Sequence, residues 1–299
     1  MPLVFRKEIL CLNVKHLLSR CFFLLGSFFE RLSKVLRKRW FVANRMLLTF
    51  ALLGLLIFVF IILPLAKMIF ASDPSVLLDT LLDPEVNGAI ILSLYSALIA
   101  TIVGFVLGIP LAYFLARVDF PGKRLVEGLI DVPIVVPHTA AGIALLFVFG
   151  RQFVLGKALS FLGIEVLDSR FGIVIAMLFV SIPFLIDSAK TGFLKVDVRL
   201  EKVARTLGAS PWQAFFKVSL PLAWRSIMAG NIMMWARGIS EFGAVIILAY
   251  HPMIAPTLVL DRFEAYGLYY SRPIAAILII LCLIIFITMR TIAYRGEKT

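Results

Sequence analysis

Apolar residues along this chain fall into six long runs separated by short polar segments, at 46–66, 87–116, 132–149, 171–186, 222–250 and 273–289. A spanning helix needs about 20 mostly apolar residues, so the pattern predicts an all-α membrane protein with six transmembrane helices. The second run carries no charge over its length and, at about 1.5 Å per residue, reaches roughly 45 Å, so its helix is tilted or extends past the bilayer core. Pro133 and Pro137 open the third run and Pro183 lies in the fourth. Prolines there can kink or break a span where protein or water satisfies the freed backbone groups. Ahead of the first run, Phe22, Leu25, Phe29, Leu32 and Leu36 recur at helical spacing among Arg31, Lys34 and Arg37. That spacing predicts an amphipathic helix on the cytoplasmic membrane surface; a basic extension with little order is the alternative. Residues 1–42 are thus a cytoplasmic N-terminal extension and 43–299 the transmembrane domain.

Composition supports the membrane reading: 61% of the 299 residues are hydrophobic, only 16% are charged, and mean hydropathy is +1.00. A soluble domain carries about 25% charged residues. The net charge of +12 and pI of 9.9, taken alone, would suggest nucleic acid. Position decides otherwise. Twenty-two of the 30 Lys and Arg residues fall before the first run, after the second, after the fourth and after the sixth. By the positive-inside rule both termini are cytoplasmic, and the charge marks sidedness. The opposite loops carry Asp73, Asp79, Asp83 and Glu85 with other acids against five bases, so net charge is not what would draw an anion inward. Cys11, Cys21 and Cys282 have no metal-site spacing, and no Gly-Lys-Ser or Gly-Lys-Thr is present to form a phosphate loop. No cofactor is expected in this chain.

The loop at 190–221 is the most informative segment. It is too long for a simple connection, and Asp197, Glu201, Ala204 and Leu207 favour a helix. Gly208 reads as the residue after a helix C-cap, Ser210 as an N-cap and Pro211 as the first position of a second helix. Two short helices therefore meet at Gly208-Ala209, and Trp212, Phe215 and Phe216 form an apolar stripe on the second. The stretch Val203-Ala204-Arg205-Thr206-Leu207-Gly208-Ala209-Ser210-Pro211-Trp212, with Val218-Ser219-Leu220-Pro221 after it, resembles the loop shared by the permease subunits of ABC importers. That pattern is Glu-Ala-Ala, three residues, Gly, nine residues, Ile-x-Leu-Pro. Here Lys202 stands at the Glu position, Val203 at the first Ala and Val218 at the Ile. Glu201 lies one residue before the pattern's Glu.

The resemblance implies a coupling element seated in a groove of a separate ATPase subunit, with Glu201, Ala204, Leu207, Gly208, Ala209, Ser210, Pro211 and Trp212 as its residues. It also implies a second copy of this chain, two ATP-binding subunits that use ATP and magnesium, and an extracytoplasmic binding protein. The chain would then be a transport subunit with no nucleotide site of its own.

Ser93-Leu94 through Gly108-Ile109-Pro110, Asp131-Val132-Pro133, and Arg237-Gly238-Ile239-Ser240-Glu241-Phe242-Gly243-Ala244 resemble the molybdate, tungstate and sulfate branch. The last segment is most similar to molybdate and tungstate permeases. Sulfate or thiosulfate ranks second, and a secondary transporter would leave the long loop unexplained. A membrane enzyme would need a nucleophile–base cluster, and only Arg237 and Glu241 stand at membrane depth. Spaced i, i+4, they share a helix face, so they are either a mutual ion pair or a station for an oxyanion in the path. Ser93, Thr139, Ser181 and Ser240 are hydroxyls that could line that path or simply serve helix packing. Gly104 and Gly108 permit close helix approach, within the subunit or between copies. His138 is a pH-sensitive group or an ordinary packed histidine.

Overall fold

The computed structural model describes residues 45–295, and the N-terminal extension with its expected amphipathic helix lies outside them. The described residues are all-helical: α1 (Arg45–Phe70), α2 (Pro74–Leu82), α3 (Pro84–Arg117), α4 (Lys123–Val135), α5 (His138–Phe149), α6 (Val154–Phe161), α7 (Arg170–Lys195), α8 (Val198–Thr206), α9 (Pro211–Ala214), a π-helical turn at Phe215–Ser219, α10 (Leu220–Ile239), α11 (Gly243–Leu248), α12 (Ala255–Tyr266) and α13 (Leu268–Arg295). By length and apolar character, α1, α3, α7 and α13 are each able to cross a membrane, and α4 with α5 forms a further, bent candidate.

Two of the six expected runs are not continuous helices. The third breaks at Val136-Pro137, where α4 and α5 meet at 115°. Pro137 is the cause: it lacks an N–H and disfavours helical geometry in the residue before it, and Val136 is extended at ψ 134°. The fifth run breaks at Ser240–Phe242, between α10 and α11. By contrast α7 runs unbroken through Pro183.

Packing divides the described residues into two units. The smaller comprises residues 45–87 and Arg262–Leu281. Within it α1 is apolar on all sides and exposed along its length, as suits a helix facing lipid or another chain. Arg262 pairs with Glu85 and lies over the Tyr266 ring, 5.5 Å from its centre.

The larger unit comprises Gly88–Asp261 and residues 282–295. Its centre is the antiparallel pair α7 and α10. Gly192 faces Ser226, Gly230 faces Ser188, and the Ser188 hydroxyl donates to the Ser226 carbonyl at 2.6 Å. A Cβ at Gly230 would stand 2.7 Å from that of Ser188, so glycine sets the close approach. Gly104 faces Met234 and Gly108 faces Ile186, which shows the small-residue motif of α3 serving contacts inside the chain. One apolar cluster gathers Leu115, Leu185, Phe193, Ile227 and Met234, and a second gathers Ile173, Met177, Val245, Leu248 and Ile254 with Cys282 packed against it.

Candidate functional site

The loop between α7 and α10 is built by local turn chemistry. The Asp197 carboxylate accepts from the Arg199 N–H at 2.9 Å and caps α8. Gly208 ends the element at φ +94°, its N–H bonded to Arg205 O while the N–H of Ala209 reaches back to Ala204 O. That is the Schellman pattern, which needs a left-handed residue that glycine supplies without steric cost. Ser210 then caps α9: its hydroxyl accepts from the Gln213 N–H at 3.2 Å, and the Gln213 side chain accepts from the Ser210 N–H at 2.8 Å. Pro211 holds the first helical position.

The second helix differs from the expected separate element. It continues through the π-helical turn into α10. Leu207 and Trp212 are strongly exposed, and Trp212 stacks with Phe216, while Phe215 turns inward against Tyr113 and Phe193. Ala204 and Ala209 are half-buried, and Lys202 and Val203 point outward.

Glu201 takes the opposite direction. Its carboxylate is buried and accepts from Arg117 Nε (2.9 Å) and Nη2 (2.6 Å), the Ser219 hydroxyl (2.7 Å) and the Tyr113 hydroxyl (3.0 Å). Lys202 at the pattern's Glu position therefore leaves these bonds intact. Burial raises the Glu201 pKa, but the bonds from Arg117, Ser219 and Tyr113 outweigh it and hold the carboxyl below its ordinary value. A lowered carboxylate pKa stabilises the fold above the unfolded value, about 4.3, and the benefit is lost as pH falls through the native value. The melting-temperature gap between wild type and Glu201→Gln is therefore expected to be constant above about pH 5 and to narrow below about pH 4. A gap that instead narrows toward alkaline pH would refute this attribution.

The second site lies where the two broken runs meet. Arg237 is near the end of α10, and its Nη2 donates to Glu241 Oε2 at 2.8 Å and lies 2.6 Å from His138 Nε2. A guanidinium can only donate, so the His138 nitrogen accepts. Arg237 Nη1 reaches the Ser240 hydroxyl at 3.3 Å. Glu241 is not on the α10 face that its spacing predicts. It sits in the break, fully buried, and its other oxygen accepts from the Ala244 N–H at 2.8 Å at the start of α11. Gly243 fits against His138 and Thr139, where a Cβ would stand 2.7 Å from that of His138. The ion pair of the sequence reading is thus present, and it holds two helix breaks side by side.

The other hydroxyls divide. Thr139 and Ser240 are exposed beside this cluster. Ser93 and Ser181 are buried: Ser181 donates to Met177 O at 2.5 Å, and Ser93 donates to Ala89 O while accepting from the Ala255 N–H at 2.8 Å. Among the described residues, no group of His, Cys, Asp and Glu is arranged to hold a metal ion. Arg117, Tyr113 and Ser219 are the members that sequence reasoning leaves without a site role, and His138 enters as a bonding partner of Arg237. In the sequence Arg117 reads only as one of the bases that mark sidedness.

Residues 104–295 match the family model described as the binding-protein-dependent transport system inner membrane component. The chain belongs to this family of ABC importer permeases. It is 49% identical over 248 residues to the molybdate/tungstate transport system permease protein WtpB of Thermococcus kodakarensis, covering 82% of this permease and 95% of that relative. A probable sulfate transport system permease protein, cysT of Chlorokybus atmophyticus, is 34% identical over 188 residues, 62% of this permease and 66% of the relative. In fold the permease resembles the crystal structure of a bacterial alginate ABC transporter in complex with a pentasaccharide-bound periplasmic protein, at TM-score 0.66 and 19% identity over 90% of this chain and 99% of that one.

Proposed function

We propose that this permease forms, as a homodimer, the membrane path of an ATP-driven importer for a tetrahedral oxyanion, molybdate or tungstate. The observation that carries the substrate is the 49% identity to the Thermococcus kodakarensis permease across nearly its whole length. In this reading the chain crosses the membrane six times with both termini cytoplasmic, the broken α4–α5 and α10–α11 segments counting as the third and fifth crossings. The loop from Glu201 to Trp212, with Leu207 and Trp212 exposed on it, seats in a groove of an ATPase subunit. ATP and magnesium bind in those partner subunits. A binding protein outside delivers the oxyanion, and alternating access passes it between the two copies.

Arg237, Ser240, Glu241 and Thr139 are the path candidates that the geometry favours, because they gather at the meeting point of the two breaks. The guanidinium is partly shared with Glu241 and His138, which suits passage, since a path must release its cargo. The bonds made by Ser93 and Ser181 favour a packing role for those two.

The test is uptake by the transporter reconstituted with its ATPase subunits and binding protein. ATP-dependent uptake of labelled molybdate should be displaced by tungstate and resist an equal concentration of sulfate. Equal displacement by sulfate would move the assignment to the sulfate branch, and no ATP-dependent oxyanion uptake would end it.

A further inference from the structure

The link from α7 to α8 is only Val196-Asp197. A connection this short can still hinge, and a hinge there would absorb any displacement of the loop before it reached the spans. One side chain closes the gap. Arg117, the last residue of α3, donates from Nη1 to Phe193 O at 2.9 Å and from Nη2 to Val196 O at 3.2 Å, while Nε and Nη2 both hold Glu201. One guanidinium thus ties the end of α3, the last turn of α7, the link itself and α8. Glu201 extends the junction to the π-helical turn ahead of α10 through Ser219, and back to α3 through Tyr113. Around it the Tyr113 ring packs edge-on against Phe193 and Phe215, at 5.2 and 4.8 Å between centres.

We propose that Arg117 is a transmission residue: it locks α8 to the ends of α3 and α7, so that a push on the loop moves those helices as one body. The proposal rests on the permease reading above and adds a residue outside the family's loop pattern. Stability alone is a weak account of the cluster. Both side chains of the Arg117–Glu201 pair are 11% exposed, and a buried ion pair often contributes no more than apolar residues of the same volume. What apolar residues would not supply is direction. A planar guanidinium with several fixed partners sets distance and angle between elements, whereas a greasy contact lets them slide.

The test uses the complete transporter in proteoliposomes and reads ATP hydrolysed per molybdate transported, together with the stimulation of hydrolysis by loaded binding protein. Arg117→Met and Glu201→Gln are each expected to raise the ratio about tenfold or more, and the double variant should be no worse than either, as for residues acting as one unit. Arg117→Lys should recover only part, because an ammonium is a point charge that cannot span the same partners. Tyr113→Phe and Ser219→Ala each remove one bond without leaving a charge unpaired, and a rise of roughly two- to fivefold is expected from the shared network. If Arg117→Met does not assemble, these two variants decide. A wild-type ratio in assembled Arg117→Met, or in both single-bond variants, overturns the proposal. Failure of the wild-type transporter to move an oxyanion would instead overturn the functional reading and would be seen before any variant was compared.

Discussion

Valine at position 208 is expected to cut oxyanion transport about tenfold, with ATP hydrolysis by the assembled transporter falling much less. The reason is conformational. Gly208 sits at φ +94° with no neighbouring atom within 4 Å of where a Cβ would stand, so the obstacle inside this chain is the backbone angle and not a clash. A left-handed backbone costs an L-residue roughly 1–2 kcal/mol, and a difference of that size shifts a two-state population by about 5- to 30-fold. The chain can relieve the strain by giving up the Schellman bonds of Gly208 and Ala209. That would displace Leu207 on one side and Ser210 to Trp212 on the other, the exposed surface that in the proposed function meets the ATPase subunit. Asparagine tolerates the left-handed region better than other non-glycine residues, so Gly208→Asn should keep a substantial share of transport and Gly208→Ala should fall between. Equal loss in the Asn and Val variants would show that position 208 supplies missing volume to the partner groove and not a backbone angle.

That series depends on features written locally, and local features were the legible ones. The Ser210 cap, Pro211 and the Gly208 stop act over a few residues, so turn chemistry read from the sequence appears in the structure as read. Apolar runs likewise located α1, α3, α7 and α13. What hydropathy does not carry is continuity. Pro137 offered a signal for the break before α5, but the run through Ser240–Phe242 contains no proline. There the helix stops as Glu241 leaves the α10 face and spends an oxygen on the Ala244 N–H. An acid two residues before the Gly243-Ala244 pair that starts a new helix is the available clue, and its i, i+4 spacing from Arg237 masks it. The Arg117–Glu201 junction was illegible for a different reason. Its partners lie 84 residues apart, and a base at the end of an apolar run has a sufficient explanation as a sidedness marker. The residue does both things, and only tertiary structure separates them.

Arg237→Ala is expected to lower oxyanion uptake more than tenfold and to lower the yield of assembled transporter with it. Removing the guanidinium leaves the Glu241 carboxylate, 1% exposed, without its counter-charge, and breaking a buried pair from one side typically costs about 3–5 kcal/mol. That cost alone does not reveal a path, because a purely architectural pair would show it too. The double variant Arg237→Met, Glu241→Gln separates the two roles. It removes both charges at similar volume, and the glutamine oxygen can still accept from the Ala244 N–H that begins α11. Assembly should therefore recover. Uptake should stay about tenfold below wild type, because methionine has no donors, whereas the native Arg237 side chain is 22% exposed, bonds to Ser240 and has the fork of N–H groups that suits an oxyanion. His138→Gln is the companion measurement: its side-chain oxygen can accept from Arg237 in place of Nε2, so uptake should be retained where the bond alone is needed. Full uptake by the double variant would confine Arg237 and Glu241 to holding the two helix breaks together, and the oxyanion would then have to be met by backbone N–H groups and hydroxyls along the path.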